Sequence, residues 1–213
     1  MLANANVAID TVYRSDWGRI VATLIRIIGD FDVAEEAAQE AFTAAVNQWR
    51  ETGIPECLWE PLALAAVPVR VHAHPPVLTV QDAEEHWRGI EGVHTKNLFL
   101  KDAKKTFWLV TLPHDQAVNL KDLAATIGAA KLSFASPSAL EQVLAVMPGA
   151  VSPLALVADV ERRVHPVIAR RVLACDWINL HPMTNRATLS MHPDDLSAFL
   201  RRLGYHPAIV DLA

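Results

Sequence analysis

Gly92-Val93-His94-Thr95-Lys96-Asn97-Leu98-Phe99-Leu100 sets four polar side chains directly ahead of three apolar ones. A lysine placed there stands at the mouth of something buried, and the rest of the chain must supply the core that Leu98-Phe99-Leu100 enters. Working outward, Val67-Pro68-Val69-Arg70-Val71-His72 alternates as a strand does. Further strands are predicted at 106–112, 131–135, 151–157, 164–168, 187–190 and 207–210, with helices at 58–66, 80–87, 120–127, 137–144 and 193–203. Pro137 and Pro193 follow Ser136 and His192, where a first helical turn tolerates proline. Strands and helices mix without a regular βαβ repeat, so the predicted class is α+β.

Composition bounds the function. Of 213 residues, 52% are hydrophobic and 20% charged, which supports a sizeable core and excludes disordered and fibrous classes. Arg19, Arg26 and Asp30 interrupt the one candidate membrane span. No basic region leads into an apolar run at the N-terminus, so no secretory signal is expected. Cys57 and Cys175 alone make no disulfide framework, and a cytoplasmic setting is the expectation. Residues 1–56 hold nine acids against four arginines, so the whole formal charge of −5 lies there and the remainder is neutral. That asymmetry divides the chain at about 56/57 and excludes bulk electrostatic coating of nucleic acid.

The common catalytic signatures Cys-x-x-Cys, His-Glu-x-x-His and Gly-x-Ser-x-Gly are missing. His72 and His74 sit at alternate positions of a strand-like run, a spacing that suits surface or turn histidines better than a metal pair. Cys175 reads as a core residue. Besides the His94–Asn97 group, two polar turns stand out: Gly149-Ala150-Val151-Ser152-Pro153, whose amides can face a ligand, and His181-Pro182-Met183-Thr184-Asn185, after the apolar Trp177-Ile178-Asn179-Leu180.

In this order, these segments resemble the YbaK/ProX family of aminoacyl-tRNA deacylases over about residues 58–213, in particular the freestanding prolyl-tRNA editing branch that clears alanine from tRNA-Pro. His94-Thr95-Lys96-Asn97-Leu98-Phe99-Leu100-Lys101-Asp102 is the most specific part of the likeness. His74-Pro75-Pro76-Val77-Leu78-Thr79-Val80, Lys131-Leu132-Ser133-Phe134-Ala135, the 149–153 turn, His181–Asn185 and Ile209-Val210-Asp211-Leu212 also stand in family order. The resemblance implies a YbaK/ProX-like mixed sheet with surrounding helices and a trans-editing hydrolase acting on mischarged tRNA-Pro, without metal or organic cofactor. It implies Lys96 as the essential side chain holding the tRNA 3′ end, with Asn97 as an orienting hydrogen-bonder. His94, Thr95 and Lys131 would contact substrate. Gly149, Ala150, Val151, Ser152 and Pro153 would shape the aminoacyl pocket, and His181, Thr184 and Asn185 would close its polar side. The expected partner is the tRNA-Pro acceptor end, met by Lys96, Lys101, Lys104, Lys105 and Lys131, with prolyl-tRNA synthetase as a further partner and no membrane.

Some residues depart from the family's pattern. Met183 replaces a frequent leucine, Lys131 an arginine, Ala158 an asparagine and Leu180 a phenylalanine, which bears on pocket selectivity more than on activity. Rival readings are a deacylase for Cys-tRNA-Pro or another small aminoacyl-tRNA, and a module that binds tRNA without hydrolysis.

Ahead of this part, periodicity predicts an α-helical hairpin: Ile20, Leu24, Ile27 and Ile28, a break at Gly29, then a helix with Ala38, Ala41, Phe42, Ala45, Val46 and Trp49 on one face. Ala8–Arg14 and Ala34–Phe42 resemble the start of an extracytoplasmic-function sigma factor. The promoter-melting and −35-reading segments of that family are absent from the remainder of the chain, so residues 1–56 read as a fragment, joined by fusion or by an artefact of gene prediction. RNA polymerase is not expected as a partner.

Overall fold

The computed structural model describes residues 67–77 and 80–212, together with 25–26, 29–31, 33, 54–55, 57–58 and 61–62. The hairpin expected within 1–56, and the sigma-factor likeness with it, lie almost wholly outside the described residues. Eight strands form one mixed sheet: β1 Arg70–Ala73, β2 Val93–Asp102, β3 Phe107–Pro113, β4 Leu132–Phe134, β5 Val164–Ala169, β6 Ile178–Leu180, β7 Ala187–Met191 and β8 Ala208–Val210, in the order β1-β7-β6-β2-β3-β5-β8 with β4 also paired to β2. The helices that lie wholly among the described residues are α1 Val80–Trp87, α2 Leu120–Ile127, α3 Pro137–Leu144, α4 Arg170–Leu173 and α5 Pro193–Arg202, with a 3-10 helix at Pro153–Ala158.

The stretch Gly92–Leu100 supplies the hub, strand β2. It is not among the predicted strands, because Leu98-Phe99-Leu100 does not alternate. An apolar run of that kind is what a strand covered on both faces carries. Along one edge β2 pairs antiparallel with β3, from Thr95↔Pro113 to Lys101↔Phe107. Along the other, its head pairs parallel with β6 through His94↔Asn179 and its tail antiparallel with β4 through Asp102↔Leu132. The turn into β3 is set by Asp102, whose Oδ1 accepts from the backbone N–H of Lys104 at 2.8 Å and of Thr106 at 2.9 Å.

Helices α1, α2 and α3 have the predicted bounds, and α5 ends one residue short of its prediction. Ser136 caps α3 through its hydroxyl, and Asn119 caps α2. The strand predicted at 151–157 is corrected: Pro153–Ala158 is a 3-10 helix capped by Ser152, whose hydroxyl accepts from Leu154 N–H. A short apolar run buried all round gives no periodicity to tell strand from helix, and Ser152-Pro153 is the start signal that decides. Strand β1 begins at Arg70, three residues later than Val67. Ile54, Leu58 and Leu62 are buried in the same core as Leu109, Leu154 and Phe199, so the chain packs into this core from at least Ile54. No described helix is long and apolar enough to cross a membrane.

Candidate active site at the head of strand β2

Successive side chains of a strand point to opposite faces, so β2 deals its polar head to both sides of the sheet. His94 and Lys96 share one face; Thr95 and Asn97 share the other. Lys96 is half-buried opposite Leu112 and forms no ion pair with a described residue.

Asn97 uses both ends of its amide. Nδ2 donates to the Val151 carbonyl at 2.9 Å, and Oδ1 accepts from the Thr111 hydroxyl at 2.8 Å. It therefore clamps the Gly149–Pro153 turn against β2 and β3. Gly149 has φ 90°, and a Cβ built on it would lie 3.8 Å from the Val77 carbonyl oxygen. That carbonyl in turn accepts from Asn185 Nδ2 at 2.9 Å, and Val77 N–H donates to the Asn185 carbonyl at 3.1 Å. His74 N–H donates to the Arg186 carbonyl. Residues 74–77, Asn97, the 149–153 turn and Asn185–Arg186, far apart in sequence, are thus linked, with Lys96 next to Asn97 on the other face of β2. Ala150, Ser152 and Pro153 are buried in the turn's base, and Thr184 Oγ1 accepts from Arg186 N–H at 3.4 Å.

Beside this place lies a layer of histidines. His94 is buried, its ring stacked on Trp87 at 4.3 Å between centroids and edge-on to His114. Burial pulls its pKa down to about 4, and the like charges of His114, His72 and His181 add to that against the opposing hydrogen bond with the Ile90 backbone. It is neutral at pH 7. His181 is lowered as well, first by burial and then by His74, against a backbone bond with Ala187. Its Nδ1 is buried without a hydrogen-bond partner. Thr95 ties β2 to β6, its hydroxyl donating to the Asn179 carbonyl at 2.9 Å.

Sequence reasoning missed the residues that support this layer. Asn179 Nδ2 donates to the Glu91 carbonyl and stands 3.5 Å from His94 Nε2, while Ser190 Oγ bonds both Asn179 Oδ1 and His72 Nε2. His74 Nε2 meets Thr188 Oγ1 at 3.1 Å. The alternation of His72 and His74 is thus matched by hydroxyls at alternate positions of the neighbouring strand, and those paired patterns were the available signal. Cys175 is a half-buried thiol packed against the core, its Sγ 3.2 Å from both the Val172 and the Trp177 carbonyl oxygen, either of which can accept its one hydrogen, and burial raises its pKa.

Lys131 is not brought to Lys96. It precedes Leu132, which pairs with Asp102 at the far end of β2, six residues from Lys96 and so ~20 Å away along the strand.

Residues 74–199 match the aminoacyl-tRNA editing domain family. The chain is 39% identical over 155 residues to prolyl-tRNA synthetase associated domain-containing protein 1 of Bos taurus, covering 70% of this chain and 90% of that one. It is 37% identical over 134 residues to the prolyl-tRNA editing protein ProX of Acetoanaerobium sticklandii, covering 62% and 80%. Among solved structures, the hypothetical protein APE2540 superposes with a TM-score of 0.61 at 19% identity, covering 73% of this chain and 98% of that one. A structure described as a candidate trans-editing enzyme for prolyl tRNA synthetase gives 0.54 at 19% identity, covering 68% and 85%. At those identities the structures speak to fold alone. Family match, relatives and fold agree: the chain belongs to the aminoacyl-tRNA editing domain family, of the YbaK/ProX type, and is a hydrolase of the aminoacyl-tRNA deacylase class.

Proposed function

We propose that this protein acts in trans on mischarged tRNA-Pro and that alanine is the misattached residue it removes fastest. One observation supports the reading: Lys96, next in the chain to the Asn97 that holds the 149–153 turn, is a half-buried lysine with no ion-pair partner among the described residues. An aminoacyl ester is already activated, so its hydrolysis needs positioning and charge stabilisation more than a strong nucleophile. Lys96 seats the terminal adenosine and its phosphate, leaving the ester carbonyl open to water. The water oxygen bonds to the carbonyl carbon, the ester C–O bond breaks, and the ribose oxygen leaves with a proton. The neighbouring ribose hydroxyl of the tRNA relays that proton. The amino acid departs as a free carboxylate.

Asn97 acts as a positioning residue. Its clamp on Val151 fixes the 149–153 backbone that bounds the aminoacyl pocket, while His181, Thr184 and Asn185 bound the polar side. The turn residue Met183, buried with φ 59°, sets part of the volume there. Such a pocket excludes large side chains by size but ranks small ones weakly, since one methylene is worth roughly 1–3 kcal/mol. The protein works in the cytoplasm, where tRNA-Pro and prolyl-tRNA synthetase meet it.

The test is deacylation of Ala-, Cys- and Pro-tRNA-Pro at limiting enzyme. Alanine released faster than cysteine, with proline retained, supports the reading. Faster release of cysteine moves the assignment to Cys-tRNA-Pro, and tight tRNA binding without release of any amino acid makes the protein a binding module.

A further inference from the structure

The turn at 149–153 runs straight into the 3-10 helix Pro153–Ala158, whose first four residues are buried. A 3-10 helix is short and poorly bonded within itself, so its place is set by what grips its two ends. At the near end the grips are Asn97 on the Val151 carbonyl and the Ser152 hydroxyl on Leu154 N–H, with Ala155 N–H donating to the Ser152 carbonyl at 3.0 Å. At the far end stands Asp159, 3% exposed, whose N–H closes the helix on the Leu156 carbonyl.

Asp159 gathers three segments. Its Oδ2 accepts from Val164 N–H at 2.8 Å, where β5 begins, and from the Tyr205 hydroxyl at 2.9 Å. The same hydroxyl lies 3.1 Å from the Asp159 carbonyl oxygen, so its one hydrogen is held between two oxygens of one residue. Tyr205 is itself fixed: it follows Gly204, φ 85°, past the end of α5, and its N–H donates to the Leu200 carbonyl at 2.9 Å. Burial first, and Asp159 after it, push the phenol's pKa up against the opposing charge of Arg162, so the hydroxyl keeps its proton and stays a donor. The other carboxylate oxygen, Oδ1, is buried with no hydrogen-bond partner, and Arg163 Nε approaches it only to 3.8 Å while pairing with Glu161 at 3.1 Å. The hydrogen bonds of the carboxylate therefore all go to Val164 and Tyr205.

We infer that Tyr205 and Asp159 are positioning residues for the aminoacyl pocket: their bond anchors the rear of the 3-10 helix and so sets how far the 149–153 wall stands into the pocket. The pocket is that of the functional reading above, on which this inference rests, and the anchor adds a determinant of substrate size that lies outside it. Six residues at a rise of ~2.0 Å put the anchor ~12 Å behind Pro153. Pro153, Leu154, Ala155 and Leu156 are packed with no wet side to absorb a shift, so a displacement at Asp159 is carried forward to the wall. Held by Asn97 alone, the wall can pivot on the Val151 carbonyl; held at both ends, it cannot. Alanine and its next larger homologue differ by one methylene, and a wall movement on the order of 1 Å decides between them. The anchor therefore acts on selectivity more than on rate.

The test uses the full chain and Tyr205→Phe, which deletes one hydroxyl and keeps the ring, with thermal melts to show that both are folded at the assay temperature. tRNA-Pro is charged with alanine or with 2-aminobutyrate, one methylene longer, and the ratio of the two kcat/KM values is read. Tyr205→Phe should lower the preference for alanine by about threefold or more with the KM for Ala-tRNA-Pro unchanged, whereas a merely structural loss lowers both rates alike and leaves the ratio. Asp159→Asn keeps an amide oxygen to accept from Val164 and Tyr205 and should keep the wild-type ratio. A second reading needs no turnover: amide exchange at Ala155 should quicken about tenfold in Tyr205→Phe relative to Leu109 of β3. An unchanged ratio in a folded, active Tyr205→Phe overturns the inference and leaves the hydrolytic reading intact. A wild type that releases neither amino acid fails the hydrolytic reading instead; quicker exchange at Ala155 then keeps the anchor on the wall, and unchanged exchange removes it.

Discussion

The side-chain amide of Asn97 bonds the Val151 carbonyl at 2.9 Å across 54 residues of sequence, and it is the direct tie between strand β2 and the turn at 149–153. Lys96 and Asn97 are neighbours in the chain but serve opposite faces of the sheet. The lysine is left free to meet substrate; the asparagine is consumed in holding the wall of the pocket.

Replacing Asn97 by alanine leaves the buried Thr111 hydroxyl without its acceptor and the Val151 carbonyl without its donor. The expected cost is about 1–3 kcal/mol of stability. Asn97→Asp keeps the acceptor for Thr111 but sets a carboxylate oxygen against the Val151 carbonyl. Both variants should lose at least tenfold in kcat/KM, read by deacylation assays beside urea melts. Wild-type turnover in Asn97→Asp would show that the clamp does not position the turn.

Gly92 stands where β2 meets β6. With φ 102° it is in the left-handed half of the map, and an added Cβ would lie 2.2 Å from the Trp177 carbonyl oxygen. That oxygen accepts from Val93 N–H at 2.8 Å, so relief of the clash must break the first rung between the strands. Gly92→Ala should destabilise the fold by roughly 2–4 kcal/mol, combining backbone strain with a lost hydrogen bond. A melting temperature within a degree of the wild type would contradict this close approach.

The histidine layer makes the fold sensitive to acid. His94 has its folded pKa lowered to about 4 from 6.5, and His72 and His181 are lowered too, each chiefly by burial. Between pH 6.5 and 4 the unfolded chain binds protons at these sites that the folded chain refuses, so stability falls as pH falls through that window. The urea midpoint should drop from pH 7 to pH 5. His94→Phe keeps an aromatic ring against Trp87 without the titrating nitrogen, and its midpoint should drop less steeply. Equal slopes for the two proteins would exclude His94 as a source of the effect.

Much of the fold is legible locally. Helices α3 and α5 announce themselves through Pro137 and Pro193 at the first turn, behind Ser136 and His192. Among the elements that escape a local reading, the 3-10 helix at 153–158 and strand β6 are short runs buried for most of their length, on which periodicity has nothing to work. Strand β2 joins a polar head to Leu98-Phe99-Leu100 and does not alternate, and α4 is a single turn of four residues, too short to show a helical period. The site divides in the same way. Lys96 and Asn97 show as a polar head on an apolar run, and their family resemblance marks them. The bonds that assemble the pocket, Asn97 to Val151 and Asn185 to Val77, close over 54 and 108 residues, and no local pattern encodes them. His94 shows the limit of reading residue types alone: beside Lys96 in a polar tetrad, it lies buried under Trp87 as part of the scaffold.

The role of Lys96 is best measured by single-turnover deacylation of Ala-tRNA-Pro with the wild type and with Lys96→Ala. Lys96 is half-buried and bonds no described side chain, so its truncation should leave the fold intact, to be confirmed by matching thermal melts. We predict release of alanine by the wild type and a loss of at least a hundredfold in the variant, the scale of one positioned charge in a transition state. Equal rates of alanine release from two folded proteins would contradict the assignment of Lys96 to the reacting end of the tRNA.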